Sequence, residues 1–135
     1  MSSGPELETI ARLGAPSWTW RAGQERRLAL VRRYVPLEGR SILDIGCGVG
    51  MYLRAFQRFT PHVYGLEVDR ERALQARAHA PHVLQARGED LPFRDESFDV
   101  VVLNEVLEHV EDDARTIQEA CRVLRSGAGH LVLFV

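Results

Sequence analysis

The chain has 135 residues, 45% of them hydrophobic, a net charge of −2, and no lysine among its 17 basic residues. That length and apolar content support one buried core, hence one domain. No apolar run reaches the length of a membrane span, the first residues lack the basic and apolar regions of a secretion signal, and arginines alternate with acids, as in Asp69-Arg70-Glu71-Arg72. Membrane insertion, export and nucleic-acid binding are therefore unsupported, and a cytoplasmic location is expected. The two cysteines agree, since Cys47 lies in a glycine turn and Cys121 is expected on the apolar face of a helix, neither reading as half of a disulfide framework.

Residues 1–21 read as an N-terminal arm, broken by Gly4, Pro5, Gly14 and Pro16, and 22–135 as the folded domain. Leu28, Val31 and Tyr34 have helical spacing, so a helix is expected over 22–34, ended by Pro36. A strand over 41–45 leads into a helix over 50–59 that buries Leu53, Phe56 and Phe59. A second strand over 62–67 precedes a helix over 70–79, capped by Asp69. The third strand is expected near 82–86. The fourth, 98–103, is a continuous apolar run of the kind buried on both faces. Ile117, Ala120, Cys121 and Leu124 then fall at helical spacing, with Asp112 or Asp113 at the start and Gly127 past the end. A fifth strand occupies 130–135. Strand and helix in alternation predict an α/β fold with a doubly wound, mostly parallel sheet.

The informative segment is 42–50, Ile-Leu-Asp-Ile-Gly-Cys-Gly-Val-Gly, an apolar strand that turns through glycines at 46, 48 and 50. Such a turn lets a ligand lie against the main chain. A dinucleotide turn requires Gly-x-Gly-x-x-Gly, and its third glycine would fall at Met51. Here the spacing is Gly-x-Gly-x-Gly, with Asp44 two residues before the first glycine. A carboxylate there repels a pyrophosphate but suits a ligand carrying an ammonium and a sulfonium.

Asp44 to Gly50 thus resembles motif I of the class I S-adenosylmethionine-dependent methyltransferases. Three further stretches are similar to the type 11 group of that family: His62 to Glu67, a strand ending in an acid; Gly88-Glu-Asp-Leu-Pro-Phe93 with Ser97-Phe-Asp-Val-Val-Val-Leu103; and Asn104 to Asp112 with Arg122-Val-Leu-Arg-Ser-Gly127. The resemblance implies a Rossmann-like sheet in the order 3-2-1-4-5, with S-adenosylmethionine as cofactor and S-adenosylhomocysteine as product. It implies a methyl acceptor that is a small molecule.

By the same resemblance, the loop of Gly46, Cys47, Gly48 and Gly50 holds the methionine part of the cofactor, and Glu67 accepts hydrogen bonds from both ribose hydroxyls. Val68 and Leu91 sandwich the adenine, and the Gly88 amide meets a ring nitrogen. The family often places an aspartate or asparagine just before that amide, whereas this chain has Arg87, which cannot accept a hydrogen bond. Glu89 or a backbone carbonyl is then left for the adenine amino group. Asn104 touches the methionine moiety or the substrate, or caps a strand end. Arg26 stands where some relatives clamp the cofactor carboxylate, with Arg21 and Arg27 as competitors.

His109 is the candidate general base, needed if the acceptor is a hydroxyl that must lose its proton; otherwise it packs or hydrogen-bonds. No metal is expected, because the histidines lack metal-ligand spacing. Cys47 has no histidine partner nearby in sequence and reads as a small residue rather than a nucleophile. Members of the family continue past strand five, so this chain looks short of the last two strands. Its apolar edge at 130–135 is then open to pairing, which predicts a homodimer. The leading expectation is an enzyme. The alternative is a cofactor-binding domain, sensor or subunit without independent turnover, with a nicotinamide-dependent oxidoreductase a distant third.

Overall fold

The computed structural model describes residues 18–135, and the expected arm lies outside the described residues as far as 17. The helix α1 (Trp18–Tyr34) starts four residues before the expected point. Five strands follow, with two helices between the early ones and one near the end: β1 (Ile42–Ile45), α2 (Met51–Phe56), β2 (Val63–Glu67), α3 (Arg70–Ala76), β3 (His82–Gln85), β4 (Val100–Asn104), α4 (Asp113–Val123) and β5 (His130–Phe134). A 3-10 turn, Leu107–His109, lies between β4 and α4.

All five strands are parallel, in the order β3-β2-β1-β4-β5. This is the expected Rossmann-like sheet. Ile45 of β1 pairs with Leu66 of β2 and Leu103 of β4, so Gly46, Glu67 and Asn104 follow at one edge of the sheet. The order reverses between β1 and β4, which leaves a crevice at their carboxyl ends.

Alternation along the strands divides the core into two layers. Ile42, Val63, Val100 and Val102 pack with Leu28 and Val31 of α1, Leu53 and Phe56 of α2, and Ala73 and Ala76 of α3. Leu43, Ile45, Val101 and Leu103 pack on the other face with Ala120 and Val123 of α4. Because every residue of β1 is buried, each side chain contributes whichever way it points. Asp69 caps α3 by accepting from the Arg72 amide, and Asp112 caps α4 by accepting from the Arg115 amide.

Two faces differ from the spacing-based expectation. Tyr34 is 68% exposed, and the α1 row runs Leu28, Val31, Val35, seven residues rather than six from first to last. Two helical turns take about seven residues, so Val35 returns to the buried side and Tyr34 does not. In α4 the buried positions are Thr116, Glu119, Ala120 and Val123, and Cys121 is exposed. The whole face is turned by about one residue from the row Ile117, Ala120, Cys121, Leu124. The reason is polar: Thr116 and Glu119 are buried because they have bonds to make.

Candidate functional site

The glycine turn is fixed first by backbone. The amides of Gly46 and Cys47 both donate to the Leu66 carbonyl, at 2.7 and 3.0 Å, and the Gly50 amide donates to the Cys47 carbonyl. Gly46 has φ +70°, and a Cβ there would come within 2.6 Å of Val106 Cγ2. Glycine at 46 therefore answers both a left-handed backbone and a neighbouring side chain. At Gly48, φ is +57° with open space beyond, so that residue faces the crevice.

Glu67, buried at the end of β2, accepts from the Gly48 amide at 3.1 Å through Oε1 and from the Asp69 amide at 2.7 Å through Oε2. It joins the glycine turn to the start of α3. Each oxygen keeps a second lone pair. Asp44 is only 3% exposed, and its carboxyl is pushed up to about 8 by burial and, secondarily, by the charge of Glu67. Burial and Glu67 are opposed by no hydrogen bond from the described residues, and the residue lines the cavity beside the glycine turn. Burial also pushes the Cys47 thiol far above its ordinary range, with Asp44 and Glu67 adding to the effect, so a thiolate nucleophile is not available at neutral pH.

Two adjoining cavities, of about 410 and 440 Å³, open along the crevice. They share Gly46, Gly48, Arg72, Asn104, Glu105 and His109, and so form two ends of one trough. The first end is bounded by Glu67, Val68, Gly88 and Glu89. The second is bounded by Asp44, Cys47, Val49 and Tyr52. Volumes of this size suit a small organic ligand.

Most of the residues expected at the site converge on this trough: Asp44, Gly46, Cys47, Gly48, Glu67, Val68, Gly88, Glu89, Asn104 and His109 all line it. Three do not. Gly50 packs against α3, where a Cβ would lie 2.9 Å from Ala76 Cα. Leu91 is buried in the core beside Phe98 and Val123, because Glu119 of α4 holds its amide and draws the residue inward. Arg26 is exposed on the outer side of α1, whereas Arg27, one residue on, turns toward the strand ends. Arg27 donates to Asn104 Oδ1 at 2.6 Å and to Glu105 Oε1 at 3.1 Å, with its guanidinium 5.2 Å from the Phe134 ring centre.

Sequence reasoning did not single out Tyr52, Arg72, Glu105 or Glu111. Tyr52 is half-buried, and its phenol is held above its ordinary range chiefly by burial, with nearby Arg27 and Asn104 acting in the opposite direction. Glu105 adopts φ +55°, a left-handed conformation uncommon for a residue with a side chain, and this turn carries Val106 over Gly46. The signal for both was position: Tyr52 follows the last glycine by two residues, and Glu105 follows the end of β4. His109, in the 3-10 turn, is exposed and reaches both cavities. Among the described residues, no group of three or more histidines, cysteines and acids is placed to hold a metal, and no helix is long and apolar enough to cross a membrane.

A parallel α/β sheet with a glycine turn and two buried carboxylates, Asp44 and Glu67, at its switch point has the form of an adenosine-cofactor domain. Comparison with known proteins fixes which one. A family model described as a methyltransferase domain, of type 11, matches residues 43–133. A ubiquinone biosynthesis O-methyltransferase from Paracidovorax citrulli is 33% identical over 112 residues, covering 75% of this chain and 46% of that protein. A protein of Methanocaldococcus jannaschii is 39% identical over 97 residues, covering 72% of this chain and 44% of its own length. Among solved structures, an S-adenosylmethionine-dependent methyltransferase from Mesorhizobium loti superposes with a TM-score of 0.68 at 29% identity, over 77% of this chain and 50% of that one. The chain belongs to the type 11 group of class I S-adenosylmethionine-dependent methyltransferases, a family of enzymes whose cofactor is S-adenosylmethionine. It spans about half the length of the relatives it matches.

Proposed function

We propose that the trough binds S-adenosylmethionine along its length and serves methyl transfer to a small-molecule acceptor. The observation that carries this reading is Asp44: a carboxyl buried without a donor, beside a loop whose backbone lies open to a ligand. A cationic ligand relieves that burial and a pyrophosphate worsens it. When bound, the cofactor supplies a methyl group on a positively charged sulfur, already activated for transfer.

Glu67 holds the two ribose hydroxyls with its remaining lone pairs, while its other contacts keep it aimed. Val68, 62% exposed at the rim, offers an apolar surface to one face of the adenine. On the opposite side the Gly88 amide and the buried Glu89 carboxylate meet the edge of the ring. Where the two ends meet, Asn104, held by Arg27, faces the amino-acid portion. In-line displacement needs donor and acceptor aligned, so these contacts do most of the work. His109 takes a proton from the acceptor where that acceptor is a hydroxyl, and its place at the junction of both cavities supports this role.

Two finer points complete the proposal. β5 has a strand on one side only among the described residues, and Leu133 and Val135 are exposed, which supports pairing with a second copy. A second reading, cofactor binding without independent turnover, is supported by the trough itself, whose lining accounts for a cofactor without naming an acceptor. Calorimetric titration with S-adenosylmethionine and S-adenosylhomocysteine tests the shared core, and silence with both ligands sinks it. Turnover of labelled cofactor across candidate acceptors separates the two readings. Sedimentation showing only monomer at high concentration removes the dimer.

A further inference from the structure

The segment 86–99 crosses from β3 to β4 without forming a helix or strand of its own, yet its first residues form a wall of the trough. Backbone groups in such a stretch need partners from elsewhere. They find them on one face of α4, at Arg115, Glu119 and Arg122, spaced four and three residues apart and so stacked along the helix.

The contacts are dense at Leu91. Glu119 Oε1 accepts from the Leu91 amide at 2.9 Å, and Arg122 Nη2 donates to the Leu91 carbonyl at 3.1 Å. The pair thus treats Leu91 as a neighbouring strand would. Arg122 Nη1 donates to the Phe93 carbonyl at 2.9 Å and to Asp95 Oδ1 at 2.8 Å, while Nε and Nη2 donate to the two Glu119 oxygens at 2.6 and 3.2 Å. All five guanidinium protons are used, an arrangement that lysine cannot copy. Arg115 Nε donates to the Glu89 carbonyl at 3.0 Å, and Thr116 packs against Gly88.

We infer that Glu119 and Arg122 are positioning residues for the cofactor site: they touch no part of the trough but set the path of 88–95, and so place the Gly88 amide and the Glu89 carboxylate. The inference rests on the reading of the trough as the S-adenosylmethionine site. Arg122 holding Glu119 below the ordinary carboxylate range is consistent with this geometry, because the clamp then keeps its charge at neutral pH. The arrangement also explains why α4 buries a glutamate that lies outside the expected apolar row of Ile117, Ala120, Cys121 and Leu124. Glu119 packs as part of the loop's scaffold.

The test is calorimetric titration of S-adenosylhomocysteine into wild type, Arg122→Lys, Arg115→Gln and Val63→Ala, with hydrogen exchange at the Leu91 amide and thermal melting recorded for each. Arg122→Lys is expected to weaken binding by about tenfold or more, because small misplacements of a binding wall are costly, and to speed Leu91 exchange. Arg115→Gln should weaken binding by about threefold, on the same ground. Val63→Ala opens a cavity at the amino end of β2, in the core layer on the opposite face of the sheet from α4, so it should lower the melting temperature and leave affinity within about twofold. Should Arg122→Lys not fold, the Arg115→Gln result decides. Unchanged affinity despite faster Leu91 exchange overturns the positioning role, as does an equal loss in Val63→Ala. Absence of binding by wild type is a different outcome: it removes the cofactor reading itself, and this inference with it.

Discussion

The two walls of the trough are held by different means. On the β1–β2 side, adjacent parallel strands and one glutamate do the work: the Leu66 carbonyl accepts from Gly46 and Cys47, and Glu67 accepts from Gly48 and Asp69. On the other side, side chains from a helix some thirty positions later hold the backbone of 89–93. The first wall is a local product of strand, turn and strand. The second exists only once α4 has docked, and its geometry is therefore a tertiary property.

The comparison breaks most sharply at Glu67, the one side chain on which the first wall depends. Glu67→Ala removes the acceptor for two backbone amides and, in the proposed complex, for both ribose hydroxyls. Charge-assisted hydrogen bonds contribute about 1.5–3 kcal/mol each, so the dissociation constant for S-adenosylhomocysteine should rise more than about 100-fold. Two unsatisfied amides should also lower unfolding free energy by about 2 kcal/mol. Calorimetry and urea denaturation read the two effects. Retained micromolar binding would show that the wall is held by its strands alone and that Glu67 is dispensable.

How far each wall was legible follows from the same contrast. Asp44, Gly46 and Gly48 are two residues apart along strand and turn, and Glu67 ends the neighbouring strand, 19 residues after Gly48, so the sequence order of residue types already implies their arrangement. The strand order, the cap at Asp69 and the crevice at the β1–β4 reversal follow from the same local logic together with the resemblance. Leu91 was misplaced because its position depends on Glu119, and periodicity treats a glutamate in an amphipathic helix as solvent-facing. Cys121 was misplaced for the same reason, since burying Thr116 and Glu119 turns the helix by about one residue. Arg27 was left level with Arg26 and Arg21, because adjacent positions on a helix differ by about 100° and sequence gives no origin for that angle.

Asp44 sharpens the comparison through pH. Its carboxyl titrates at about 8 in the folded chain against an ordinary value of 3.8, with burial the main cause and Glu67 the second. Between those values the unfolded chain ionises and the folded chain does not, so stability should fall as pH rises from 3.8 toward about 8, and level off above that. The folded group is mostly protonated at neutral pH, and a cationic cofactor favours its ionised form. Binding at pH 7 should therefore release close to one proton, visible as a dependence of the binding heat on buffer ionisation enthalpy, and affinity should strengthen toward pH 8. Asp44→Asn should flatten the pH dependence of both stability and affinity. A proton release unchanged in that variant would assign the titration to another group and weaken the electrostatic reading of the first wall.

The smallest effect lies where α1 meets the trough. Arg27 joins Asn104 and Glu105 at the end of β4 and lies over Phe134 of β5, tying the N-terminal helix to the strand ends. Glu105 sits there in a left-handed conformation, and such a conformation persists only when its surroundings hold it. The ion pair itself is largely solvent-accessible, so Arg27→Ala should cost about 1 kcal/mol of stability rather than more. Its effect on the cofactor should be of the same size, about fivefold in the dissociation constant, because Asn104 loses the donor that orients its amide. Arg26→Ala, on the exposed side of the same helix, should leave both quantities within measurement error. Equal effects of the two substitutions would mean that the positive charge of α1, and not the aim of one side chain, is what the trough senses. That outcome would reduce the contact between Arg27 and Asn104 to packing and leave the β1–β2 wall and the α4 clamp as the site's only fixed parts.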